Sequence, residues 1–256
     1  IEDRRGLLNG LLIFDILLQS GGIRDAHLLY PPRDPESLSL LLDAITNSTY
    51  DSLKKDCLVY FLIKWHEFKI DGSGGDRIRE EMFVQERCIP PQFVLLADAY
   101  WYFDTGSDVE RGVSILSDRR LNKDYASKIM QTIALSQNPA PLIVKYIRTA
   151  RPLLTEPPDL NLYTEALLAG SSNGVLDAWL FQRTFPDCNE MKARLVRIII
   201  DWCLTRERAH PYTAFSSLTS LLSSQTESGR AENPALLAVH AFRTSDGRGI
   251  RRFAPL

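Results

Sequence analysis

The sequence predicts an all-α protein, arranged as an irregular α-solenoid of antiparallel helical hairpins. Apolar residues recur with the helical period along most of the 256-residue chain. Proline and glycine mark the turns between these periodic segments. The one strand pattern, over 68–70, is short, and the segments do not repeat regularly enough for tetratricopeptide or ankyrin units.

Five helices are predicted in the first half of the chain. The first ends at Gly21, the second begins at Pro35, and Asp51 is the expected N-cap of the third. A glycine-rich segment follows the third helix and is typical of a linker rather than a phosphate-binding loop, because it lacks the Gly-Lys-Ser/Thr ending. The predicted helices span 4–19, 35–45, 51–68, 77–87 and 91–105, with the linker at 71–76.

The helix over 91–105 is the centre of this pattern. Pro91 stands where a first-turn proline is tolerated, and Gly106 stands at the usual position of a C-terminal cap. The residues between them are apolar on nearly every side, so we expect a buried helix with neighbours on several faces. Asp98 is a charge in the middle of this apolar run, and Trp101 is expected to be a packing anchor.

The second half continues in the same way. Pro139 and Pro157 stand at helix starts, and Asn173 is a candidate N-cap. The predicted helices span 108–117, 122–135, 139–150, 160–169, 173–185, 189–207, 211–222 and 233–243. We expect one helical domain over 1–243, with a candidate sub-boundary at 70–76, followed by a basic tail over 244–256.

Composition excludes several classes of protein. The formal net charge of −2 gives no reason to expect a nucleic-acid or membrane partner. No apolar run approaches the roughly 18 residues needed to span a bilayer. The cysteines are far apart without C-x-x-C spacing, which predicts free thiols in the cytoplasm or nucleus. They are Cys57, Cys88, Cys188 and Cys203.

Three carboxylates lie in apolar helical runs, where we expect them to be buried, and they are the candidates for acid–base or metal chemistry. They are Asp15, Asp98 and Asp201. Because they are widely separated and a solenoid contacts mainly its neighbours, we expect them to be structural. Arg197 precedes Asp201 by four residues, which predicts an ion pair on one helix face.

Other catalytic and metal-binding patterns are missing from the sequence. The four histidines form neither an H-x-x-x-H pair nor an H-E-x-x-H motif, and no serine lies in a G-x-S-x-G elbow. We therefore expect no metal, no cofactor and no enzymatic activity. The tail carries Arg248, Arg251 and Arg252, for which a solvated segment is favoured over phosphate or acidic-surface binding.

Several aromatic-rich strings resemble the helical domain of the ELYS family of nuclear-pore assembly factors. The main one is Leu-Ala-Asp-Ala-Tyr-Trp-Tyr-Phe-Asp-Thr-Gly at 96–106. Similar strings follow the family order at 12–18, 30–32, 56–62 and 174–183, so the resemblance covers about residues 5 to 208. Animal members add a β-propeller and a chromatin-binding tail; this sequence looks more like the short fungal members.

The resemblance implies a scaffold nucleoporin of the Y-shaped outer-ring complex, located at nuclear pores in the nuclear envelope. It also implies other nucleoporins as partners, from the long arm of that complex. Tryptophan and arginine are enriched at binding hot spots, so we expect the interface to include Trp179, Arg183, Arg194, Arg197, Arg248, Arg251 and Arg252.

Two alternatives belong to other functional classes. A small all-α enzyme would use Asp15 and Asp98, and it requires these carboxylates within about 10 Å of each other across a cleft. A nucleic-acid or chromatin binder would use the basic tail, and its affinity would fall steeply with salt.

Overall fold

A computed structural model describes residues 1–67, 76–118, 120–121, 124–170, 173–186 and 189–207. These residues form helices and turns without a strand, so the all-α prediction is confirmed, while the solenoid arrangement stays a prediction. The helices are α1 (Glu2–Leu7), α2 (Ile13–Ser20), α3 (Ala26–Leu29), α4 (Pro35–Thr46), α5 (Ser52–Glu67), α6 (Asp76–Glu86), α7 (Pro91–Thr105), α8 (Val109–Leu116), α9 (Ala126–Ala134), α10 (Pro139–Ala150), α11 (Pro157–Gly170), α12 (Gly174–Gln182) and α13 (Glu190–Glu207).

The start of the chain differs from the prediction. The single helix expected over 4–19 is two helices, because Asn9 and Gly10 have φ angles of 57° and 78°. These left-handed conformations end α1, and α2 begins after Leu12. Leu8 and Leu12, on either side of this turn, are both buried. The spacing of apolar residues therefore looks helical even where the chain forms a turn.

Local capping rules place most other helix ends correctly. The Asp51 carboxylate accepts the backbone N–H of Lys54 at 2.9 Å, as expected of the N-cap of α5. Gly106 ends α7 with φ 71°, which confirms the predicted cap. Helix α9 begins later than predicted, after Tyr125, whose φ is 62°.

Helix α7 is the buried centre of its part of the molecule, as the sequence predicts. It packs against α2, α5, α8 and α9. Trp101 is buried, and Phe103 is inaccessible to solvent. Helix α8 approaches closely at Gly112, where an added Cβ would lie 3.1 Å from the Phe103 ring.

The chain divides into two compact units, Ile1–Ala166 and Leu167–Leu256. The division falls within α11, and the expected domain over 1–243 with a sub-boundary at 70–76 stays a prediction. Helices on either side of that linker share a core cluster that includes Tyr60, Ile89 and Ala97, so the linker joins elements of one unit. The strand pattern at 68–70, the helices predicted at 211–222 and 233–243, and the basic tail lie outside the described residues.

Helices α12 and α13 pack against each other in the second unit. Trp179 is buried on α12, and Leu195 and Ile199 are buried on α13. Gly174 opens α12 where an added Cβ would collide with the Leu167 carbonyl oxygen. A glycine is therefore needed at the turn into α12.

Candidate functional site

Asp15 is buried and fully engaged by structural partners. Its two oxygens accept hydrogen bonds from Arg5 at 2.8 and 2.9 Å, and one oxygen also accepts the Leu12 N–H at 2.8 Å. Arg5 also donates to the Tyr30 carbonyl oxygen. These contacts fix the turn between α1 and α2 and leave no oxygen of Asp15 free for a reaction.

Asp104 is the buried carboxylate that sequence reasoning missed. From the end of α7 it accepts the backbone N–H groups of Ile13 and Phe14, both at 2.8 Å. It thereby satisfies two donors at the start of α2 that have no partner within that helix. Burial raises the pKa of Asp104 to about 7, while the two N–H groups and Arg4 act in the opposite direction. The sequence feature that could have indicated its burial is its position next to Phe103 in the apolar string at 96–106.

Basic side chains complete this buried region. Arg4 donates to the carbonyl oxygens of Phe103 at 2.8 Å and Thr132 at 3.1 Å. Lys128 donates to the Leu8 carbonyl oxygen at 2.9 Å. The first turn of the protein is thus tied to α7 and α9 by polar contacts in which each charged group has a structural partner.

Asp98 belongs to a separate, partly exposed cluster. The Tyr60 hydroxyl donates to its carboxylate at 3.0 Å, and the Lys64 ammonium lies 3.1 Å away. Lys64 also pairs with Glu80 at 3.3 Å and lies 5.6 Å from the ring centroids of both Tyr60 and Trp101. Burial lowers the pKa of Lys64, but the charges of Asp98 and Glu80 raise it by more, so its pKa is raised overall and the ammonium remains charged. This cluster joins α5, α6 and α7.

The enzyme hypothesis gains no support from these carboxylates. Asp15 and Asp98 belong to different networks, each with its own cation, Arg5 or Lys64. Asp201 is exposed, which corrects the expectation of a buried carboxylate, and within the described part of the chain no ion pair joins it to Arg197. Nor do the described residues contain a group of three potential metal ligands or a helix long and apolar enough to cross a membrane.

The predicted interface residues fall into three groups. Arg183, Arg194 and Arg197 are exposed on the second unit. Trp179 is 3% exposed, so its ring belongs to the packing of that unit and cannot offer open contact surface. The tail residues Arg248, Arg251 and Arg252 lie outside the described residues. Whether any of these residues binds a partner stays a prediction.

Two leucines on α12 complete a candidate surface that the sequence reasoning missed. Leu176 and Leu180 are 41% and 52% exposed, and they are four residues apart, so they lie on one helix face. Arg183 follows one turn later. The sequence feature that could have indicated this surface is a pair of leucines four residues apart, on a helix whose other face carries the buried Ala178 and Trp179.

A cavity of about 540 Å³ lies in the first unit where the start of α9, the end of α10 and the start of α11 meet. It is lined by Asp124, Tyr125, Ala126, Ser127, Arg151, Leu153, Thr155, Glu156 and Asp159. Asp159 is buried in the wall and accepts a hydrogen bond from the Ser127 hydroxyl at 3.0 Å. Burial raises the pKa of Asp159. No sequence motif marked this cavity, because two turns distant along the chain contribute to it.

Comparison with known proteins gives two matches. The family model described as "ELYS: Nuclear pore complex assembly" matches residues 11–233. The protein called "Uncharacterized protein ely5" from Schizosaccharomyces pombe is 29% identical over 131 residues. That alignment spans 51% of this chain and 40% of the yeast protein.

Proposed function

The chain belongs to the ELYS nuclear pore complex assembly family, and from this premise we propose that it is a non-enzymatic adaptor of the pore scaffold. It docks onto the Y-shaped outer-ring complex, at pores in the nuclear envelope, and supports pore assembly and nucleocytoplasmic transport. Its partners are other nucleoporins, from the long arm of that complex. The observation that carries this proposal is the family match over residues 11–233, which includes the helices of both described units.

The chemistry of the described residues supports an adaptor rather than a catalyst. The buried carboxylates Asp15 and Asp104 hold a turn and a helix start, and the Asp98 cluster joins three helices. Each of these carboxylates has its partners within the helical packing. Such rigid helical packing is suited to presenting a surface to another protein.

We place the docking surface on the second unit. Leu176 and Leu180 supply exposed apolar area on α12, and Arg183 follows on the same helix. Arg194 and Arg197 are exposed on α13, which packs against α12. Apolar side chains bordered by arginines are typical of the energetically important part of a protein interface.

The test is an affinity pull-down of the full tagged chain from nuclear extract, read by mass spectrometry. We expect the wild-type chain to enrich subunits of the Y-shaped complex. The double variant Leu180→Asp and Arg183→Glu should lose most of that enrichment, since both changed side chains are exposed. A matched control is Leu40→Asp, which changes an exposed leucine of α4 in the other unit.

The outcomes separate the proposal from the placement of its surface. Capture of no outer-ring subunit by the wild-type chain would contradict the proposed function. Equal capture by the wild-type chain and the double variant would contradict the α12 surface. Trp179→Ala is unsuitable for this test, because removing a buried ring destabilises the unit itself.

A further inference from the structure

The cavity at the start of α11 contains a buried carboxylate that forms no ion pair with any cationic side chain of the described residues. We infer that this cavity binds an arginine or lysine side chain of a docking partner, with an adjacent apolar residue of that partner against Leu153. This inference rests on the proposed function in one respect, namely that the chain docks onto other proteins. It adds a second contact site, in the first unit, of stated chemistry.

Asp159 is the central group of the inferred site. It is 4% exposed and lies in the first turn of α11. Its carboxylate accepts the hydroxyl of Ser127 on α9, so it is directed towards another helix rather than used as the cap of its own. Among the residues that the structure describes, none forms an ion pair with it. A buried charge gains free energy when an opposite charge with hydrogen-bond donors reaches it.

Two buried phenols lie behind the same wall. The hydroxyls of Tyr100 and Tyr146 are inaccessible to solvent and have no hydrogen-bond partner. Burial raises the pKa of Tyr146, and the nearby charge of Asp159 raises it further. Burial likewise raises the pKa of Tyr100, with further contributions from Tyr125 and Asp124 of the cavity lining. Two buried hydroxyls without a hydrogen-bond partner therefore lie close enough to the cavity for the charges of its lining to act on them.

The balance of charge in the lining favours a cation. Asp124, Glu156 and Asp159 contribute carboxylates, of which Asp124 also interacts with another residue, and Arg151 is the one cationic side chain among the described residues of the lining. The starts of α9 and α11 oppose a bound cation, but each contributes only about half a positive charge. The described lining therefore holds more carboxylates than cationic side chains. An anionic ligand would meet the opposite balance.

The shape of the cavity indicates a side chain with a neighbour rather than an isolated ion. Its volume of about 540 Å³ lies within the ordinary range of ligand pockets, roughly 300 to 1,000 Å³. Leu153 at its edge is 84% exposed, which leaves apolar area for a second partner residue. A guanidinium has five N–H donors and an ammonium three, enough to reach Asp159 and a second acceptor of the lining together.

The direct test uses a small probe and the full chain. Isotope-labelled protein is titrated with N-acetyl-leucyl-arginine amide, and separately with the same peptide carrying citrulline, which has nearly the same shape but no charge. We expect saturable shifts of the Ala126 and Ser127 amide signals with the arginine peptide and none with the citrulline peptide. Saturable shifts of equal size with both peptides, or with neither, would overturn the inference.

Variants identify the group that binds. Asp159→Asn should weaken binding of the arginine peptide by about tenfold or more, because a charge-assisted contact is replaced by a neutral one. Glu156→Gln changes an exposed residue and should weaken binding by about threefold, a smaller charge effect. Asp43→Asn, an exposed carboxylate of α4, is the matched control and should bind as wild type. Unchanged binding by both Asp159→Asn and Glu156→Gln would contradict the site.

These experiments can contradict the proposed adaptor function and the inferred cavity site independently of each other. The peptide titration contains no nucleoporin, so normal pull-down of outer-ring subunits with no peptide binding would overturn the cavity alone. Peptide binding that depends on Asp159, combined with no nucleoporin capture, would overturn the proposed function and assign the cavity to another protein partner.

Discussion

Two carboxylates of the first unit are almost equally hidden from solvent, and they have very different partners. Asp104 is 0% exposed and accepts two backbone N–H groups at 2.8 Å. Asp159 is 4% exposed and accepts one hydroxyl. Burial of a charge is tolerated in a core when it satisfies donors that would otherwise be unpaired. Asp104 meets that condition, whereas Asp159 keeps acceptor capacity towards a cavity. The difference separates a structural carboxylate from a binding one.

The largest expected effect tests whether α7, which carries Asp104, is structural. Trp101→Ala should lower the free energy of unfolding by about 3–5 kcal/mol, the usual cost of removing a buried aromatic ring. Urea denaturation followed by circular dichroism measures it. Leu95→Ala on the same helix is the control, and we expect a loss below about 1 kcal/mol because Leu95 is partly exposed. A stable Trp101→Ala protein that lost only partner binding would make this helix a functional surface.

The next largest effect is expected for Asp104→Ala, which directly tests the structural role assigned to Asp104 in its comparison with Asp159. Removing the carboxylate leaves the Ile13 and Phe14 N–H groups buried without acceptors, which should cost about 2–4 kcal/mol. The same denaturation measurement applies, with Asp43→Ala as a control expected to stay within about 0.5 kcal/mol of wild type. A loss no larger than that of the control would show that Asp104 is not holding the start of α2.

The success of sequence reasoning depended on how far apart the interacting residues lie in the chain. Gly106 and Asp51 were correct because a cap acts within one turn of its helix. Asp104 was missed because its acceptor role appears only when residues 91 positions apart meet. The dipeptide Asn9–Gly10 is a turn signal. The helical period of the leucines on both sides nevertheless predicted one continuous helix, and the left-handed conformation of these two residues interrupts it.

The functional surfaces illustrate the same limit. The exposed arginines of α12 and α13 followed from residue type, whereas the burial of Trp179 depended on how those helices pack. The Asp159 cavity requires two distant turns of the chain to meet, and neither of them carries a recognisable motif. Residue chemistry could be assigned from sequence, but which groups remain without a partner could not.

The pH dependence of stability tests the effect of burial on Asp104. The pKa of Asp104 rises from 3.8 in the unfolded chain to about 7 in the folded one. Its contribution to stability is therefore fully present below the unfolded value and is lost as pH rises through about 7. Comparing wild type with Asp104→Asn by urea denaturation at several pH values should show that this loss disappears in the variant. If the difference in the free energy of unfolding between wild type and Asp104→Asn were the same at every pH, the raised pKa of Asp104 would be contradicted.

The smallest effect is expected for the stability of Asp159→Asn. An amide keeps the size of the side chain and still accepts the Ser127 hydroxyl, while it removes a buried charge that forms no ion pair with the described residues. We expect the free energy of unfolding to stay level or to rise by up to about 1 kcal/mol, because no paired group is left behind. Denaturation at neutral pH measures this, beside Asp43→Asn as control. A loss approaching that of Asp104→Ala would place Asp159 among the structural carboxylates and remove the difference on which the binding role depends.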